Sequence, residues 1–246
     1  LKFVICQKFK CMSPFLAEVL GTALILTIGT GVVANVALPK TKGNQEGYLA
    51  VTLGWFTAVF VGVYATATIS GAHLNPAVTI GLAVAGKFSW DLVPSYILAQ
   101  MLGAMLGAFL AWLAHRQQFN EAADAATKLG VFSNSPTIRD PFHNILSEAI
   151  ATFIFMLGVF YIAAPAQTNG ALDALPVSLL VLGIGLGMGG PTGYAINPAR
   201  DLGPRIMHAI LPIKNKGGSD WGYAWVPVVG PIIGAVAAAY VYMWLT

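Results

Sequence analysis

Ser70-Gly-Ala-His-Leu-Asn-Pro-Ala-Val-Thr79 and Gly193-Tyr-Ala-Ile-Asn-Pro-Ala-Arg-Asp-Leu-Gly-Pro204 decide the fold. Each contains Asn-Pro-Ala, at Asn75 and again at Asn197, after a glycine-bearing run inside an apolar region. Proline is only about 5% of ordinary sequence, so one such triplet says little and two in matched settings say more. Asparagine is a preferred N-cap and proline is favoured at the first helical position, so each triplet reads as a helix start. The first helix can run only to about Gly86, on the order of ten residues or ~15 Å. A bilayer core is ~30 Å thick. Each short helix therefore crosses half of it, and two entering from opposite faces meet near the middle, Asn to Asn.

Composition agrees. Of 246 residues, 57% are hydrophobic and 9% charged, against about 25% charged in soluble domains. The chain reads as a polytopic membrane protein. A net charge of +3 gives no nucleic-acid signal. Cys6 and Cys11 precede the first apolar run and read as ordinary thiols, with lipidation as the other possibility. They offer no zinc spacing and no disulfide framework, so no metal and no cofactor is expected. The chain opens at Leu1, which leaves room for a native segment before it. Leu1 to Met12 carries Lys2, Lys8 and Lys10 without a long apolar core, so it does not read as a signal peptide.

Around the two half-helices lie apolar spans at Phe15–Leu38, Tyr48–Ile69, Leu92–Ala114, Phe142–Ala164, Ala174 to about Gly190, and Tyr223–Leu245. Lengths near 20 residues suit spanning helices, and the fifth is short and glycine-rich. The second half-helix runs from Pro198 towards Ile210. Phe15-Leu-Ala-Glu18 is echoed by Ile145-Leu-Ser-Glu148, each opening a half. Three spans per half is odd, so the second half is inverted. The expectation is an all-α membrane protein with six transmembrane helices and two re-entrant half-helices in an inverted repeat. It is one channel domain, 1–246, made of repeats at about 13–114 and 142–246 joined by a polar loop, 115–141. Inverted repeats place the functional site at their interface near the midplane, with broken helices aimed at it. Gly103-x-x-x-Gly107 and Gly230-x-x-x-Gly234 read as close helix packing.

The candidate site follows. Asn75 and Asn197 carry amide donors that cap the half-helices and can face a permeant molecule at the midplane. Gly71, Ala72, His73 and Leu74, with Gly193, Tyr194, Ala195 and Ile196, cannot be helical if the helices start at Asn. Non-helical backbone at membrane depth is tolerated where it lines a cavity, so these residues are expected to offer carbonyl acceptors to a pore. Glu18 and Glu148 lie within spans, where a carboxylate is costly and usually functional. Each is either a proton relay of a coupled transporter or a brace for the re-entrant backbone. Symmetric placement favours the brace. His73 reads as a hydrogen-bonded scaffold group before a pH gate. Arg200 is the intramembrane cation with a clear functional address. Asp201 beside it reads as a first-turn acid and loop organiser.

The two quoted stretches resemble the major intrinsic protein family, and Asp201 after Arg200 resembles its aquaglyceroporin branch, of the bacterial glycerol-facilitator kind. The resemblance extends from about Ser13 to the end. It implies an aquaporin-like channel, not an enzyme, passing glycerol and other small neutral solutes with some water. Dihydroxyacetone, urea and undissociated lactic acid are further candidates. It implies a selectivity filter at Trp55, Gly185, Tyr194 and Arg200, and it favours the structural role for Glu18 and Glu148. Bacterial glycerol facilitators usually carry Phe at the Tyr194 position, so this chain adds a hydroxyl there. The family also implies a homotetramer in membrane lipid, multi-pass in a bacterial cell membrane, with cytoplasmic termini. The charge pattern does not itself give that orientation. Lys87 and the N-terminal lysines fall on one side, and Lys40, Lys42, Arg116, Lys128, Arg139, Lys214 and Lys216 on the other. The competing reading is a proton-coupled secondary transporter using Glu18 or Glu148. An intramembrane enzyme lacks a nucleophile–base pair beside the triplets, and a structural or adhesive membrane protein would have a closed pore.

Overall fold

The computed structural model describes residues 12–121, 124–162 and 170–246, and all regular structure among them is helical. Cys6 and Cys11 lie outside these residues. Ser13 caps the first helix, its hydroxyl accepting from the Leu16 N–H at 3.3 Å, and Pro14 takes the first helical position. The helices are α1 (Pro14–Ala37), α2 (Tyr48–Ser70), α3 (Pro76–Val84), α4 (Val93–Ala114), α5 (Arg116–Phe119), α6 (Ala125–Phe132), α7 (Pro141–Ile162), α8 (Leu175–Met188), α9 (Pro198–Ile210) and α10 (Val226–Leu245). Among the described residues, five helical stretches, those of α1, α2, α4, α7 and α10, are long and apolar enough to cross a membrane. The sixth, α8, has 14 residues, or about 21 Å. It is preceded by a 3-10 turn at Gly170–Ala174, within the stretch the sequence presents as a loop.

Each span is apolar on both faces, so residue size decides what is buried. On α4 the buried face carries Ala99, Gly103, Ala104, Gly107, Ala108 and Ala111. Leu98, Leu102, Leu106 and Leu110 follow at four-residue steps on the exposed face. Small residues let backbones approach, and the leucines face out of the bundle. The approach is close. A Cβ on Gly107 would lie 2.5 Å from the Ala23 carbonyl oxygen of α1, and one on Gly103 would strike the Val19 carbonyl. The same pairing recurs between α10 and α7. A Cβ on Gly230 would sit 2.6 Å from Glu148 Cβ, and one on Gly234 would strike the Ala149 carbonyl. Both glycine pairs are thus helix-packing surfaces.

The connection 115–141 differs from the polar loop expected. It folds into α5 and α6. Phe119, Val131 and Phe132 are buried against Leu38, Trp112, Met207 and Leu211. Asp124 caps α6, accepting from the Thr127 N–H at 2.9 Å. Lys128, within the stretch expected to be a polar loop, is buried and donates to the Lys214 carbonyl at 2.7 Å. Lys216 donates to the Ala209 and Leu211 carbonyls at 2.6 and 2.7 Å, capping the C-terminal end of α9. Lys40 pairs with Glu121 at 2.7 Å, and Arg139 pairs with Asp220. These cations satisfy carbonyls and carboxylates at one end of the bundle.

Candidate pore and constriction

The two half-helices start where the triplets do. Asn75 and Asn197 are their N-caps, in extended conformation, with Oδ1 accepting from the Ala77 N–H at 2.8 Å and the Ala199 N–H at 3.0 Å. Each amide nitrogen reaches across to the other half. Asn75 Nδ2 donates to the Ile196 carbonyl at 2.8 Å, and Asn197 Nδ2 to the Leu74 carbonyl at 2.9 Å. This reciprocal clasp was not foreseen from the sequence. An amide nitrogen has two N–H groups, so one on each is committed and the other remains for a molecule beside it.

The segments leading into the half-helices have matched backbones. Gly71, Ala72 and Leu74 have φ of 83°, 50° and 50°, and Gly193, Tyr194 and Ile196 have 81°, 41° and 43°. Left-handed geometry at a β-branched residue such as Ile196 is a genuine outlier. It persists where surrounding bonds over-determine it, and here the carboxylates do so. Glu18 accepts from the His73 N–H at 3.0 Å, the Leu74 N–H at 2.7 Å, Ser70 Oγ at 2.7 Å and Gln100 Nε2 at 2.8 Å. Glu148 accepts from the Ala195 and Ile196 N–H groups, both at 2.9 Å. The Gly71 and Ala72 N–H groups go to the Ala67 carbonyl and Ser70 Oγ. With these N–H groups committed, the carbonyls are the polar backbone groups left for whatever lies alongside. His73 Nδ1 sits 3.1 Å from Thr79 Oγ1, and its ring packs edge-on to Phe88.

What lies alongside is a cavity of about 680 Å³. Trp55, Val59, Val63 and Ala67 border it at four-residue steps, so it follows about 18 Å of α2. Phe155, Val159 and Val181 continue the apolar wall, and Gly71–Asn75 and Tyr194–Asn197 form a polar stripe. Trp55, Tyr194 and Arg200 border the same space. The Arg200 guanidinium carbon lies 4.2 Å from the Trp55 ring centroid. Trp55 Nε1 and the Tyr194 hydroxyl are buried with no hydrogen-bond partner among the described residues. A donor in that state is costly unless something transient satisfies it.

Two expected residues stand elsewhere. Gly185 is buried but does not border the cavity; a Cβ there would lie 2.9 Å from Tyr194 Cζ and 3.0 Å from Thr52 Cγ2. Its missing side chain makes room for the Tyr194 ring rather than for a solute directly. Gly193 also lies outside the cavity wall. Its N–H donates to the Gly189 carbonyl, and a Cβ would run into Asn134 Nδ2. Leu74 and Ile196 border the cavity, but their carbonyls accept from the opposing asparagines.

Asp201 is fully buried and binds Arg205, with Nε to Oδ1 at 2.8 Å. Arg205 also donates to the Ser219 carbonyl at 2.9 Å and the Asn134 carbonyl at 3.0 Å. Sequence reading missed this buried arginine. The available signal was the four-residue spacing from Asp201, which suits an acid–base pair on one helix face.

Residues 5–242 match the protein family described as major intrinsic protein. The chain belongs to that family. Within it, the chain is similar to the "Probable glycerol uptake facilitator protein" of Thermotoga maritima, 52% identical over 234 residues that cover 95% of this chain and all of that one. It is also 52% identical over 223 residues to the "Glycerol uptake facilitator protein" of Bacillus subtilis, covering 91% of this chain and 81% of that protein. Among solved structures, the aquaglyceroporin from Plasmodium falciparum superposes with a TM-score of 0.82 at 32% identity, covering 93% of this chain and 94% of that one. The aquaporin fold and an integral membrane location follow from family and spans together. The family is one of channels and facilitators rather than enzymes.

Proposed function

We propose that this protein is a passive channel for glycerol and other small neutral solutes, with some water, that excludes protons and ions. The observation that carries the reading is the two-sided cavity threaded between the apposed N-termini of α3 and α9. A polyol has a carbon edge and a hydroxyl edge. Stripping water from a hydroxyl costs ~1–3 kcal/mol if no partner replaces it. The carbonyls of 71–73 and 194–195, the Asn75 and Asn197 amides and Arg200 supply partners on one side. Trp55, Val59 and Phe155 receive the carbon edge on the other. This is the division of labour of a small-molecule site.

The asparagine donors add to the positive ends of the two half-helices. A water at the midplane has its oxygen held there and its hydrogens turned outward, so a proton wire is broken and cations are repelled. Glu18 and Glu148 act as braces. Glu18 accepts four hydrogen bonds, and Glu148 accepts two from the strained backbone, so both carboxylates are committed to holding the re-entrant segments. In this reading Trp55, Tyr194 and Arg200 form the constriction and Gly185 shapes it through Tyr194. The chain is one channel domain of two inverted repeats, 13–114 and 142–246. It assembles as a homotetramer in a bacterial cell membrane with cytoplasmic termini, and it catalyses no reaction. The further solutes are dihydroxyacetone, urea and undissociated lactic acid.

The test is light-scattering recovery of proteoliposomes shrunk by a panel of these solutes. Glycerol recovery well above protein-free vesicles is expected. Recovery equal to protein-free vesicles for every solute would end the proposal.

A further inference from the structure

The Tyr194 side of the constriction rides on a segment, 189–197, that belongs to no helix. From the inner side, Glu148 holds its Ala195 and Ile196 N–H groups. From the outer side it is held by the stretch after α6. Asn134 Nδ2 donates to the Thr192 carbonyl at 3.0 Å, and the Thr137 N–H donates to the Pro191 carbonyl at 3.0 Å. Asn134 also closes on the next residue, since a Cβ at Gly193 would lie 2.6 Å from its Nδ2.

Asn134 is itself fixed through its backbone. Its N–H donates to Asp201 Oδ2 at 2.7 Å and its carbonyl accepts from the Arg205 guanidinium at 3.0 Å. Asp201 and Arg205 are both fully buried. The Asn134 side chain therefore transfers the rigidity of α9, which also carries Arg200, to the residues just before Tyr194. Its Oδ1 is buried without a partner among the described residues, so the donor bond to Thr192 is what orients the amide.

We propose that Asn134 is a positioning residue that sets the width of the constriction by clamping Thr192 and Gly193 against α9. This rests on the proposed channel function. The clamp holds Tyr194 at a fixed distance from Trp55 and Arg200, and so limits passage to solutes of about three carbons. A side-chain change leaves both backbone bonds of residue 134, and with them the Asp201–Arg205 pair, in place.

The experiment compares the parent with Asn134→Ala and Asn134→Ser in proteoliposomes, each first checked for parental elution volume and melting temperature. The readout is the ratio of xylitol to glycerol permeability, which a loss of folded protein does not change. In both variants that ratio is expected to rise at least about fivefold, equivalent to about 1 kcal/mol of relative barrier. Folded variants that keep the parental ratio would overturn the proposal while the channel function stood. Variants that both fail to fold would also overturn it, because Asn134 would then be a structural keystone only. A parent impermeable to glycerol would remove the channel function and this inference together.

Discussion

Replacing Gly185 by alanine adds one methyl group at a place where the structure gives it no room. The new carbon would stand 2.9 Å from Tyr194 Cζ, 3.1 Å from Tyr194 Oη and 3.0 Å from Thr52 Cγ2. Ordinary carbon contacts lie near 3.5–4.0 Å, so about half an ångström or more must be found. Thr52 is fully buried and its hydroxyl donates to the Leu49 carbonyl, so it yields little. On the other face, Tyr48 packs edge-on to the Tyr194 ring with centroids 6.4 Å apart. The open direction for Tyr194 is the cavity, towards Trp55 and Arg200. Overpacking of this kind costs about 1–3 kcal/mol. If the shift appears as narrowing, glycerol permeability should fall by about tenfold, equivalent to ~1.4 kcal/mol on its barrier. Water, being smaller, should lose much less. Stopped-flow swelling of proteoliposomes with matched folded protein measures both. Adding Tyr194→Ala to Gly185→Ala removes the displaced ring and should restore glycerol passage. A single variant that passes glycerol as fast as the parent would refute the reasoning, because Tyr194 would then not form the narrow wall.

Two further outcomes follow from the same geometry. Glu148→Gln leaves one amide N–H facing the Ala195 and Ile196 donors; with a charge-assisted bond worth about 1.5–3 kcal/mol and ~2–4 °C per kcal/mol at this size, the melting temperature in detergent should fall by several degrees, whereas a parental melting temperature with altered solute coupling alone would favour a proton-relay role. The Thr127 N–H and hydroxyl hold the Asp124 carboxyl below its ordinary range; because the folded value is depressed, this cap stabilises α6 above the unfolded value and is lost as pH falls through the folded one, so amide exchange in 125–132, corrected for intrinsic rate, should accelerate in acid for the parent and not for Asp124→Asn, and equal acid sensitivity in both would sink the assignment.

The parts of this molecule that were legible in the sequence are those written in local order. Asn75-Pro76 and Asn197-Pro198 are a cap followed by a first-turn proline, and the helices begin there. Glycine pairs four residues apart announce close helix contact before the partner helix is known. What stayed hidden requires partners far apart in the chain. The clasp between Asn75 and Ile196 joins residues 121 apart, and no spacing rule reports it. Gly185 reads as a filter residue, but an absent side chain carries no direction, and only the structure shows that a Cβ there would meet the Tyr194 ring. The helix α6 was read as loop because its eight residues are too few for an apolar period to stand out, although Asp124 was a legible cap. Lys128 and Lys216 each bind a backbone carbonyl, and the sequence gives their charge without those partners.

The central claim is that a solute passes between the two half-helix termini while a proton does not. Proteoliposomes loaded with a pH-sensitive dye, given an inward glycerol gradient and a potassium-clamped pH gradient in the same preparation, measure both fluxes on the same channels. The account predicts rapid, uncoupler-insensitive glycerol uptake with proton leak no greater than in protein-free vesicles. Protein-dependent proton flux that rises with glycerol flux would contradict it.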